Sequence, residues 1–276
     1  MLAKDNSFAV RHGVASNPST PNDILLLLSK DDDIRVRDAV AGNPSTPAGV
    51  LRAFSLDMSP ADETHFVRMR SSVLNNPSTP TDVLSEAVAF GNVDELIAVA
   101  RNPSAPADDL RILSENRERN VVGTQVRVVA AGNPSMPEDA LMALSVDSDA
   151  NIRQAVAKNP ATPAGVLKTL SKDKDVARLH NKSLDGSWLE KEQSSVCVCA
   201  YMNPSMPVDV LLDLSKSNDV AERRAVASNP STPADALRTL SKDRDGDRFG
   251  DVFAAAAGNP STLADALSDL VAIGDP

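Results

Sequence analysis

Apolar residues recur along this chain in two short phased runs. In one run a leucine is followed three positions on by a second apolar residue: Leu25 with Leu28, Leu51 with Phe54, Leu84 with Ala87, Leu110 with Leu113, Leu141 with Leu144, Leu167 with Leu170, Leu211 with Leu214, Leu237 with Leu240 and Leu267 with Leu270. Residues three and four apart line one face of a helix, so each run predicts a short amphipathic helix with a leucine seam. The other run reads "FAVRHGVAS", "IRVRDAVAG", "VRMRSSVLN", "TQVRVVAAG", "NIRQAVAKN" or "AERRAVAS". It ends on Ala and Val, small enough for close packing, and predicts a second helix.

Between the two runs stands a polar, proline-bracketed motif. "NPSTP" occurs letter for letter at Asn17, Asn43, Asn76 and Asn229, and near copies at Asn102, Asn133, Asn159, Asn203 and Asn259 bring the number to nine. The motif reads as a helix start. Thr20 precedes a proline, which drives it out of the α region as an N-cap requires, and its hydroxyl can accept a free backbone N–H. Pro21 then falls on the first helical position, where its missing N–H costs nothing. Asp23, with Asp82, Asp108, Asp139, Asp209, Asp235 and Asp265 at equivalent places, supplies first-turn negative charge. Ala105, Met136 and Met206 replace the capping Thr, and a Ser one position earlier can substitute in all three.

A period of a few tens of residues marks a solenoid. Each unit is expected to be two short helices that cannot bury their apolar faces without a neighbour. Burying each seam residue contributes roughly 1.5–3 kcal/mol, enough to hold a stack together but not a lone unit. The composite pattern VRxAVAxNPxTPxxxLxxLSxD, as in Arg37 to Asp57 and Arg223 to Asp243, resembles the leucine-rich repeat variant family. That resemblance implies an all-α, right-handed superhelical solenoid of about nine two-helix units, α-helices alternating with shorter 3₁₀-type helices, without β-sheet. It runs from about Phe8 to Val271, so residues 1–276 are expected to form one solenoid. One member of the family carries a cysteine-ligated iron–sulfur cluster ahead of its repeats. Here the repeats begin near Met1 and the first cysteine is Cys197, so no cluster or other cofactor is expected.

Composition narrows the function classes. Aromatic residues make up 3%, so Leu, Val and Ala must carry the packing. No apolar run follows "MLAKD" and none reaches membrane-spanning length; a soluble cytoplasmic protein with no membrane partner is expected. Cys197 and Cys199 diverge on a helix and have no partner at ligand spacing, so they read as small apolar fillers, with a redox role as the minor alternative. His12, His65 and His180 fall in different units without metal-ligand spacing, and no glycine-rich phosphate loop or nucleophile elbow is present. No catalytic or metal site is expected. A net charge of −10 disfavours a general nucleic-acid binder.

Two features could carry binding. The Asn-to-Asn spacings are 26, 33, 26, 31, 26, 44, 26 and 30, so every second joint is lengthened, with insertions at about 55–65, 114–123, 171–194 and 241–250. Insertions at one corner of a solenoid emerge along one edge, commonly the binding edge. The longest holds the only tryptophan, Trp188, together with His180, and Trp is enriched at binding hot spots; alternatively Trp188 folds back as the loop's own small core. The second feature is Arg11, Arg37, Arg70, Arg127, Arg153 and Arg223, each six residues before a motif Asn, with Leu96, Cys197 and Phe253 interrupting the series. These could form a guanidinium stripe for phosphate or acidic peptide, or staple helix-end carbonyls and neighbouring Asp residues. The motif Asn reads as a staple for adjacent backbone. The expectation is a non-enzymatic scaffold for a protein partner, with nucleic-acid binding through the arginines as the alternative.

Overall fold

The computed structural model describes residues 2–56, 63–115, 121–182, 188–243 and 251–262. Its contacts divide the chain into two compact units, Met1–Met136 and Pro137–Pro276. The first holds a 3₁₀ turn, Leu2–Lys4, then α1 (Phe8–Ser16), α2 (Asn22–Leu28), α3 (Ile34–Gly42), α4 (Ala48–Leu56), α5 (Glu63–Asn75), α6 (Thr81–Phe90), α7 (Val93–Arg101), α8 (Ala107–Ser114) and α9 (Val121–Ala131). The second holds α10 (Glu138–Leu144), α11 (Ala150–Lys158), α12 (Ala164–Leu170), strands β1 (Val176–Lys182) and β2 (Trp188–Ser195), then α13 (Val196–Tyr201), α14 (Val208–Leu214), α15 (Val220–Ser228), α16 (Ala234–Leu240) and α17 (Asp251–Gly258). The described residues of the repeat units are all-α, as the two phased runs predict.

Within the first unit α1 packs on α3, α3 on α5, α5 on α7 and α7 on α9, while α2, α4, α6 and α8 pack against the next of these helices. The second unit repeats the scheme through α11, α13, α15 and α17. Seam leucines from Leu25 to Leu237 are fully buried, and their partners three residues on are buried too, save Leu214, which is half-buried; Leu267 and Leu270 lie outside the described residues. Ala and Val at the ends of the first helices, such as Val40, Ala41, Val226 and Ala227, are likewise sealed. Small side chains there let successive helices approach closely enough for their seams to interlock.

The helix-start motif works differently from its sequence reading. Pro21, at φ −61° and ψ 150°, is itself the N-cap of α2, and its carbonyl accepts from Ile24 and Leu25. The Thr20 hydroxyl donates instead to the Val14 carbonyl, at the end of the preceding helix, at 2.6 Å. Thr46 on Val40, Thr79 on Val73, Thr162 on Val156 and Thr232 on Val226 repeat that bond. The reason is geometric: proline fixes φ but leaves ψ free to be extended, so it can occupy the cap. Thr is then turned back towards an unpaired helix-end carbonyl. Side-chain caps belong to the other helices, where Asp33, Asn92, Asp149 and Asp219 accept from Arg35, Glu95, Asn151 and Ala221.

Among the described residues, the absence of β-sheet expected for the whole chain holds in the repeat units and fails at the longest insertion. There β1 and β2 pair antiparallel, with Arg178 opposite Glu192, His180 opposite Glu190 and Lys182 opposite Trp188. The segment stretches the Asn159 to Asn203 joint without the three-to-four-residue apolar phasing that the helices have, and two strands satisfy its backbone where a helix has no seam to bury.

Candidate functional site

The motif asparagines form an internal ladder. Nδ2 of Asn43 donates to the carbonyls of Ala15 (2.6 Å) and Asn17 (2.8 Å), one unit back. Asn76 does the same to Ala41 and Asn43, and Asn102 to Leu74 and Asn76. In the second unit Asn203, Asn229 and Asn259 continue the pattern, each reaching the preceding asparagine's carbonyl. Each Oδ1 meanwhile accepts the backbone N–H two residues on, as in Asn43 with Ser45. The same loop adds an outer rung, Ser45 Oγ to Pro18 O, repeated by Ser78, Ser104 and Ser231. An amide is required because this position must donate twice and accept once.

The arginines are drawn into the same framework. Arg11 on α1 holds Asp31 through Nε (2.7 Å) and Nη2 (2.9 Å) and donates from Nη1 to Asp5 O. Arg37 donates to Asp31 O, Arg70 to Glu95 and Ser55 O, and Arg127 to Ser114 O. Arg153 holds Asp173, Asp175 and Asp147 O, while Arg223 holds Asp243 at 2.5 Å and Ser217 O at 2.7 Å. Each guanidinium thus ties its own helix to the loop or the helix end before it and, in Arg11, Arg153 and Arg223, to an Asp twenty residues on. That Asp is the one in the "LSxD" ending, so the fixed Arg-to-Asp spacing was the signal available in the sequence. Where Cys197 interrupts the series, the Tyr201 hydroxyl bonds Ser171 O at 2.6 Å, an acceptor equivalent to the serine carbonyls held by Arg70 and Arg127. Cys197 and Cys199 are buried free thiols, and burial pushes the Cys199 thiol up.

Electrostatics follow these bonds. The hydrogen bond from Arg11 holds the Asp31 carboxyl below the ordinary carboxylate range, and that from Arg35 holds Asp33 down to about 2. A carboxylate depressed in the folded state contributes stability above its unfolded pKa, and that contribution is lost as pH falls through the folded value. Acidification from pH 4 towards 2 is therefore expected to loosen the α1 to α3 joint. Urea midpoints measured across that range should fall more steeply for the parent than for Asp31→Asn. For Asp173, burial opposes ionisation, but the bonds from Arg153 and the Asp175 backbone leave a net lowering.

The structure does not gather the other candidates into one place. Trp188 and His180 sit on opposite strands of the hairpin, and of the insertions at about 55–65, 114–123 and 241–250, residues 57–62, 116–120 and 244–250 lie outside the described residues. His12 is on α1 and His65 on α5. Among the described residues no three His, Cys, Asp or Glu side chains are placed to hold a metal ion, and no helix is long and apolar enough to cross a membrane. The sequence reading missed a surface groove in the first unit, lined by Phe8, Ala9, His12, Ile34, Arg35, Asp38 and Arg68. Its signal was the pair Arg35 and Arg68, each eight residues before a motif Asn.

Residues 220–245 match the family model "Leucine rich repeat variant". Among solved structures, "A leucine-rich repeat variant with a novel repetitive protein structural motif" is 19% identical, with 90% of this chain and 83% of that chain covered and a TM-score of 0.44. A crystal structure of an engineered protein is 17% identical over 99% of this chain and 90% of that chain, with a TM-score of 0.33. No curated protein matches the chain.

Proposed function

We propose, from the premise that the chain belongs to the leucine rich repeat variant family, that it is a non-catalytic scaffold binding a protein partner through the insertions at alternate joints. The hairpin of β1 and β2 is the chief contact. One observation carries this reading: a chain otherwise built of two-helix units spends its longest insertion on a hairpin that carries the only tryptophan and extends no leucine seam. A two-stranded hairpin is marginal by itself, and a partner that packs on it supplies what it lacks. Nucleic-acid binding through the arginines is the weaker reading, because those guanidiniums are already bonded to helix ends and carboxylates.

Two variants test the proposal: Trp188→Ala, and a shortened hairpin in which Asn-Gly replaces Asn181 to Leu189. Proteins retained from nuclease-treated host lysate by the parent should be lost from both, at least tenfold, with helical circular dichroism unchanged. Equal retention by the shortened hairpin would remove it from the contact.

A further inference from the structure

The groove on α1, α3 and α5 holds two cations, Arg35 and Arg68, on an exposed surface, and both keep donors that no internal acceptor takes. Arg35 lies with Cζ 3.6 Å from the centroid of the Phe8 ring, and Asp33 engages its Nε and Nη2, leaving Nη1. Arg68 reaches Asp38 through Nε at 3.2 Å, and its side chain is 75% exposed. Its two Nη groups are left to face outward. His12 is exposed and meets Ser16 only through Nδ1, at 3.5 Å, so Nε2 remains. Asp38 is further occupied by the Ser72 hydroxyl. Around an apolar floor of Phe8, Ala9 and Ile34 there are thus donors on three helices.

We infer that this groove binds an acidic peptide segment of a partner, one in which carboxylates alternate with apolar side chains. The outer edge of the Arg68 guanidinium presents two parallel N–H groups, the geometry a carboxylate accepts as a pair. Arg35 is pinned flat on Phe8, and a cation held over a ring loses little freedom on binding an anion. Phe8 and Ile34 take the apolar side chain between two carboxylates. Asp38 lines the groove, Asp33 pairs with Arg35 beside it, and the chain carries −10 overall, which repels a dense run of phosphates more strongly than a peptide with spaced charges. Charge spacing therefore selects peptide over nucleic acid. The site is in the first unit and the hairpin in the second, so the inference goes beyond the proposed hairpin contact and does not depend on it.

The test uses the full chain and a fluorescein-labelled hexapeptide of alternating glutamate and leucine, followed by fluorescence anisotropy, with a labelled single-stranded oligonucleotide as the other arm. Arg68→Ala and His12→Ala, both at exposed positions, are expected to weaken peptide binding by tenfold and about threefold. Arg52→Ala, which breaks an exposed pair with Asp82 outside the groove, should leave it unchanged, as should Trp188→Ala. No saturable peptide binding by the parent, or equal binding by Arg68→Ala, would overturn the inference. Tighter binding of the oligonucleotide, lost in Arg68→Ala, would overturn the peptide as occupant.

Discussion

Asn229→Ala is expected to lower the stability of the second unit by about 2–4 kcal/mol, although it removes only one small side chain. Asn229 is fully buried. Its Nδ2 holds Tyr201 O at 2.6 Å and Asn203 O at 2.7 Å, and its Oδ1 takes the Ser231 N–H at 2.8 Å. Alanine forfeits all three bonds and leaves the Tyr201 carbonyl and the Ser231 N–H without that partner in a site sealed from water. Because neighbouring units stabilise one another, losing one rung weakens the units on both sides. Asn229→Asp should cost more, since a carboxylate cannot donate and would face two carbonyl oxygens. Urea unfolding followed by circular dichroism measures both. Unchanged midpoints would show that the ladder is incidental to stacking.

Arg223→Ala is expected to cost about 3 kcal/mol, and for a different reason. The Arg223 and Asp243 side chains are 8% and 13% exposed, so truncation takes the guanidinium away from a carboxylate largely out of water, and the Ser217 carbonyl loses the Arg223 donor. The penalty comes mainly from the lost charge pairing. Replacing both partners, as Arg223→Met with Asp243→Asn, should therefore recover more than half of the loss. Arg223→Lys should recover little, because one ammonium cannot span a carboxylate and a carbonyl at once. If the double variant proved no more stable than Arg223→Ala, neither the charge pairing nor the arginine stem, which Met replaces, would account for the loss, and the bond to the Ser217 carbonyl would be the larger contribution. The same cycle separates a staple from a binding residue, since a guanidinium kept for a ligand would leave stability nearly unchanged.

These two residues also show how much was legible beforehand. Asn229 was read as a staple from its repetition alone, and Arg223 from position, with staple and ligand both open. Thr20 was assigned to the wrong helix end, because a hydroxyl can donate or accept and the sequence does not say which helix end it faces. The hairpin was missed because its strands lack a regular apolar alternation, although Asp185-Gly186 between them is a turn dipeptide of the hairpin type. The groove escaped notice because its seven residues come from three helices in three successive units, and none of them repeats throughout the chain.

The sequence by itself determined the period, the two-helix unit, the leucine seam and the asparagine positions, because each is a local pattern that must recur wherever identical corners recur. Only the tertiary structure decided which helix end each polar group serves, that six guanidiniums are bonded within the chain, and that Arg35 and Arg68 keep donors beside Phe8. Those outcomes depend on which groups packing brings within bonding distance, six residues apart for Thr20 and Val14 and thirty for Arg68 and Asp38. Such distances are set by how helices and neighbouring units pack, and the sequence pattern alone does not select among them.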